Sequence, residues 1–175
     1  MLMLTLYAAT IPSYLQILSS ISGLIDKAES FCLKNDLSPD VLIEARLADD
    51  MHSFAYQVKS TAVHSIGAID GVKAGVFSPD TTTPPSSLGE MRIRIEEARS
   101  ALELITVEEM ESFIGRNMRF EVGERRLQFR AEEFLLSFSQ PNFYFHATTA
   151  YDILRMQGVA VGKRDFLGPL RLESA

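Results

Sequence analysis

Residues 11–32, IPSYLQILSSISGLIDKAESFC, place Ile11, Leu15, Leu18, Ile21, Ile25, Ala28 and Cys32 at intervals of three and four. That spacing keeps the apolar side chains on one face of an α-helix, which makes the segment a core helix rather than a strand. No charged side chain occurs in residues 1–25, so a membrane or leader role has to be weighed. A leader needs Lys or Arg ahead of its apolar stretch, and none is present. A membrane span needs about 20 predominantly apolar residues, whereas this stretch is interrupted by Thr10, Pro12, Ser13, Gln16, Ser19, Ser20 and Ser22. The expectation is an amphipathic helix with an uncharged polar face and no membrane partner.

The rest of the chain repeats the helical theme. From about Leu47 to Ile69, the stripe Met51, Phe54, Val58, Ala62, Ser65 and Ile69 predicts a second helix. SPDTTTPPSS at 78–87 is a linker, because its prolines and hydroxyl residues block a regular element. Ser87 and Glu90 form a capping-box pattern for a third helix, with Met91, Ile95, Ala98, Leu102 and Ile105 on its inner face. In NMRFEVGERRLQFR the period changes to two, with Met118, Phe120 and Val122 before Gly123 and Leu127 and Phe129 after it. That change predicts a hairpin. Helix returns over 131–137, breaks near Pro141 and runs to about Met156, with Gly158 as the C′ glycine. The tail from Val161, VGKRDFLGPLRLESA, has too much Gly and Pro for a full helix and lies across the surface. The expected fold is all-α, a four-helix up-down bundle with a small β-hairpin between helices 3 and 4, in one domain spanning 1–175.

Composition narrows the function. The hydrophobic share is 46% with 11 Phe, which excludes disorder. The net charge of -6, with Lys and Arg scattered, argues against a nucleic-acid partner. The lone Cys32 cannot form an internal disulfide, so a reducing cytoplasm suits the chain. It also sits on the apolar stripe, where a thiol is inert. No phosphate loop, nucleophile elbow or paired-cysteine metal motif is found.

Two polar lines remain. On the last helix Asn142, His146, Thr149, Ala150, Ile153 and Gln157 fall within about 60° of one another. Tyr144 and Tyr151 fall near the opposite, exposed face. On the second helix Asp50, Gln57 and His64 are seven apart and therefore share one side. The two lines could converge on a small-molecule pocket between helices 2 and 4, with His146 as base or ligand and Asp50 orienting it. They could equally form a bonded, inert network. His52 falls about 120° from His64 on the same wheel and reads as surface. A metal would draw on His146 and His64, but three protein ligands are usual for a catalytic zinc. Ala150 occupies the position that would complete a helical histidine pair.

RLADDM at 46–51, QV at 57–58, PNFYFH at 141–146, AYDILR at 150–155 and GVAVGKRDFLG at 158–168 together resemble an uncharacterised DinB-like family. That family belongs to the DinB/YfiT-like superfamily of four-helix putative metalloenzymes, and the resemblance covers nearly the whole chain. It implies the bundle, a homodimer, and Arg46, Asp50, Gln57, Asn142 and His146 as a signature set. Relatives hold a divalent metal (zinc, nickel or manganese) with three histidines, one from the second helix and two from the last. Some of those relatives are thiol-dependent S-transferases or isomerases. On this chain His146 matches one last-helix ligand, His64 loosely matches the helix-2 ligand, and Ala150 stands in place of the third. Three functions follow as expectations: a small-molecule-binding protein or enzyme, a non-catalytic dimeric or stress-associated module, and a metal-dependent thiol transferase.

Overall fold

A computed structural model describes residues 4–173. Helix α1 runs Leu6–Asn35, started by Thr5, whose hydroxyl accepts from the Ala8 amide at 3.1 Å. Its inner face is wider than the predicted stripe. Ile11, Leu18, Ile21, Ile25, Ala28 and Cys32 are buried as expected, and Tyr14, Ile17 and Leu24 join them, while Leu15 is half-buried. By length and composition alone α1 could cross a membrane. Here it is the centre of the core, packed against α5 (Leu88–Glu103), α8 (Gln140–Met156) and α9 (Lys163–Leu167).

The second long helix begins later than the periodicity predicts. A short α2, Asp40–Ile43, is followed by a turn-rich segment, and α3 starts at Phe54 after an extended Ser53. The Phe54 amide donates back to the Ala45 carbonyl at 2.8 Å, which closes residues 46–53 into a loop. Arg46, Asp50 and His52 therefore precede the helix. Helix α3 (Phe54–Ala62) passes through a π-helical turn, Val63–Gly67, into α4 (Ala68–Ala74). The predicted stripe is buried from Phe54 through Val58, Ala62 and Ser65 to Ile69.

The capping serine of α5 is Ser87, whose hydroxyl accepts from the Glu90 amide at 3.1 Å. After α6 (Val107–Glu111) come β2 (Asn117–Val122) and β3 (Arg125–Arg130), an antiparallel hairpin around Gly123. A two-residue strand, β1 (Val76–Phe77), joins β2 in parallel and completes a sheet of order β1-β2-β3. Gly71 lets β1 approach α4, because a Cβ there would stand 2.9 Å from the Phe77 Cβ. The last long helix is continuous where a break at Pro141 is predicted. Helix α7 (Ala131–Glu133), a second π turn (Phe134–Ser139) and α8 follow without interruption. The wide turn just ahead of Pro141 takes up the ring and its missing N–H.

The molecule is thus an all-α bundle with a small β-hairpin, and it has more than four helices. Tyr144 and Tyr151 are half-buried rather than exposed; Tyr151 meets Phe166 of α9 edge to face at 5.9 Å. Phe77, Phe120, Phe129, Phe134 and Phe138 pack as one aromatic cluster beneath the sheet. That cluster supports both π turns.

Candidate functional site

The two π turns are hydrogen-bonded to each other through His64 and Ser139. His64 lies in the first and Ser139 ends the second. The Ser139 hydroxyl donates to the His64 carbonyl at 3.0 Å, and the His64 Nδ1 stands 3.2 Å from the same Oγ. A serine hydroxyl carries one hydrogen. Having given it to the carbonyl, Oγ can only accept from the ring, so His64 is protonated on Nδ1.

The same logic fixes His146 on α8. Its Nδ1 lies 2.7 Å from the Gln57 Oε1. The Gln57 amide nitrogen donates to the His52 carbonyl at 3.0 Å, which settles which end of the amide faces the ring. Oε1 accepts, and His146 also carries its hydrogen on Nδ1. Gln57 is buried, 2% exposed, so this bond is sheltered.

Both rings therefore turn an unprotonated Nε2 away from their partners. Neither Nε2 has a hydrogen-bond partner among the described residues. The buried unpaired side-chain atoms among those residues are the Tyr14 hydroxyl and the Arg99 Nε, so both imidazole nitrogens reach solvent. The rings stack, with centroids 5.6 Å apart and planes at 17°. Phe77 and Phe138 pack on His64 at 5.5 and 6.2 Å, and Phe145 meets His146 edge to face at 5.3 Å. Burial pushes both histidines down to about 4; for His64 the His146 ring adds to this, and for His146 the His52 ring does. At neutral pH the pair is uncharged. Such imidazoles accept hydrogen bonds or bind metals well and take up protons weakly.

The remaining predicted residues separate into two groups. Asn142 is half-buried one turn before His146, and its amide nitrogen donates to the Phe138 carbonyl at 2.7 Å. Asp50 is exposed in the 46–53 loop, and Gln57, rather than Asp50, orients His146. Arg46, also exposed, donates to the Met51 carbonyl at 2.9 Å and so shapes that loop. The seven-residue line of Asp50, Gln57 and His64 assumes a helix that starts at Leu47; with the start at Phe54, Gln57 and His64 alone stay on it.

One surface contact and one serine escape sequence reading. His52 is exposed, as its surface reading expects, though it stands in the loop ahead of α3 rather than on the helix; its ring stacks on Tyr56 at 3.8 Å, and Tyr56 meets His146 edge to face at 6.1 Å. All three histidines of the chain thus lie in one aromatic row. Ser139 is one of many serines, and its role depends on the π turn. The SQPNF context of Ser139, next to a proline within a helical pattern, is the one available signal.

Metal chemistry can be tested on the donor set. His64 and His146 have the Nδ1–H partners that metal-binding histidines need. Among the described residues, no group of three His, Cys, Asp or Glu side chains is placed to hold an ion. Ala150 is buried on α8 and supplies no donor. The set is one ligand short of the three-histidine centre.

Comparison with known proteins agrees with the fold. Residues 6–167 match the family described as Domain of unknown function (DUF1993). A crystal structure of a DinB family member protein from Shewanella denitrificans is 28% identical, with 97% of this chain and 96% of that chain covered and a TM-score of 0.82. No curated protein matches.

Proposed function

Starting from the fact that this chain belongs to the DUF1993 family of DinB-like proteins, we propose that it binds a small organic molecule at the solvent edge of His64 and His146. One observation carries the reading: two stacked, neutral imidazoles each commit Nδ1–H to a protein acceptor and leave Nε2 open. A core histidine that serves packing alone has no need of an oriented free lone pair, and here there are two. His146 is the principal acceptor and His64 its companion. Gln57 and Ser139 position them, and Asn142 borders them on α8. The four long helical runs serve as the up-down frame that holds α3 against α8, in a cytoplasmic homodimer.

A second reading, a non-catalytic dimeric module, has its own support. Gln57, Ser139 and Asn142 each already have a partner inside the protein. Such a network can serve rigidity alone.

The test uses untagged full-length protein beside His146→Ala. Elemental analysis and native mass spectrometry are followed by a thermal-shift screen of small molecules. The expected result is ligands that raise the wild-type melting temperature by several degrees and lose that effect in the variant. Stoichiometric zinc, nickel or manganese that disappears with His146 would replace this reading by a metal-dependent thiol transferase. Neither metal nor ligand would favour the structural module.

A further inference from the structure

The hairpin gathers charge that the sequence spreads out. Residues 116–130 hold five arginines and two glutamates in a chain of net charge -6. Phe129 packs on Phe134 and Phe138, so alternation along β3 turns Arg126, Gln128 and Arg130 to the solvent face. The pairing of β2 with β3 sets Arg119 and Glu121 on that same face. Arg119 and Arg126 share the Glu121 carboxylate, at 2.6 and 3.4 Å. Arg130 donates to the Gly115 carbonyl and the Asn117 Oδ1 and meets no carboxylate among the described residues. The face thus carries three guanidiniums and one carboxylate.

β3 is also the border of its sheet, because the order is β1-β2-β3. The Arg119 amide donates to the Gly75 carbonyl at 3.2 Å, on the β1 side of β2. Bonded and unbonded pairs alternate along an antiparallel ladder. Arg119↔Gln128 and Glu121↔Arg126 are therefore unbonded pairs, and the N–H and C=O groups of Gln128 and Arg126 point away from β2. Both residues are exposed, so this backbone edge is open.

A free edge can accept another strand. In the register that aligns all of residues 126–130, a second copy of β3 would set Arg126 against Arg130. Like charges directly opposed disfavour that pairing. On the other face, Leu127 is 49% exposed at the rim of the aromatic cluster and offers apolar surface. We propose that the outer edge of β3 binds an extended acidic segment of a partner protein, paired as a fourth strand. Its carboxylates lie opposite Arg126 and Arg130, with a polar residue between them opposite Gln128. Apolar residues fill the two intervening positions, beside Leu127 and Phe129. Backbone bonds supply the docking, and the guanidiniums select the charge.

The probes are the capped peptides Glu-Val-Thr-Val-Glu and Lys-Val-Thr-Val-Lys, which share their strand-forming core and differ in charge. Nitrogen-15 spectra of the full chain follow each titration. The acidic peptide is expected to move the amide signals of Arg126 and Gln128 and to slow exchange of the Gln128 amide. The basic peptide is expected to do neither. Arg126→Glu should weaken binding of the acidic peptide about tenfold, the scale of one charge-assisted contact. Gln128→Pro removes an outward donor and leaves the β2–β3 ladder whole, so it should abolish binding while the other amide signals persist. Equal binding of the two peptides would overturn the charge selection, and shifts confined to other residues would overturn the location. A thymidine oligonucleotide that displaces the acidic peptide and still binds Gln128→Pro would replace the strand by a phosphate backbone. Binding of neither peptide would overturn the proposal outright.

Discussion

A hydrogen on Nδ1 rather than Nε2 separates an inert histidine from a receptive one, and Gln57 and Ser139 make that choice for His146 and His64. The same burial that keeps the rings neutral makes them sensitive to acid. Both are held near 4 in the folded protein, against about 6.5 when unfolded. Between those values the unfolded chain binds more protons, so folding stability falls as pH drops through that window and is fully retained above it. The expected loss, from pH 7 to pH 4, is on the order of 2 kcal/mol per ring. Urea denaturation across that range checks it, and His64→Gln should flatten the curve. Helical spacing made His146, Gln57 and Asn142 legible in the sequence, because each lies inside a regular helix, and His64 follows Gln57 at the very start of the π turn that continues α3. His52 reads correctly as a surface residue, but its stacking on Tyr56 and the role of Ser139 were not legible, since one residue precedes its helix and the other acts through a register change.

That register change belongs to the elements. A π turn inserts one extra residue, so the 100° wheel that is valid on one side is offset on the other. Ala131–Ser137 and Gln140–Met156 therefore look like two helices in the sequence and fold as one run. The start of α3 was misplaced by seven residues for a different reason: Met51 continues the apolar stripe but packs from the loop, half-buried. The linker is a third case. Its composition announces irregularity, yet the structure pins it, with Lys59 buried under the Asp80 and Thr82 carbonyls. Burial alone would raise the Asp80 carboxyl, but bonds from the Thr82 hydroxyl and amide and from the Lys59 ammonium hold it at about 2. Arg94 adds a second ion pair at 2.8 Å. Lys59→Met leaves two carbonyls and a carboxylate without their cation. A loss of about 2–4 kcal/mol is expected, with new protease cleavage within residues 78–87 as the local readout. An unchanged denaturation midpoint would mean that Arg94 alone secures the strap.

Across the whole molecule, α1 ties the first third of the chain to its last turn. The tail expected to lie on the surface is docked there. Gln16 donates to the Leu167 carbonyl at 2.8 Å, and Lys27 pairs with Asp165 at 2.8 Å. Gly168 closes the contact with φ 63° and ψ -157°, a conformation that glycine alone adopts readily. A Cβ there would stand 2.5 Å from the Ser20 hydroxyl. Gly168→Ala should cost on the order of 2 kcal/mol, and lower the melting temperature by roughly 4–8 °C. Faster amide exchange in α9 would show that the loss is at this seam, and normal exchange there would refute it. The helical class and the hairpin were legible because period and turn residues are local signals. The third strand and the docking of α9 were not, because their partners lie far away in the chain.

That distance has a consequence during synthesis. Some 130 residues separate the end of α1 from the end of α9. At about 5–20 residues per second, the ribosome takes roughly 7 to 26 seconds to make them. Throughout that interval the nascent α1, uncharged over its first turns and apolar along a full face, has no completed seat. Until α9 is made, that face lacks part of the cover it has in the folded protein.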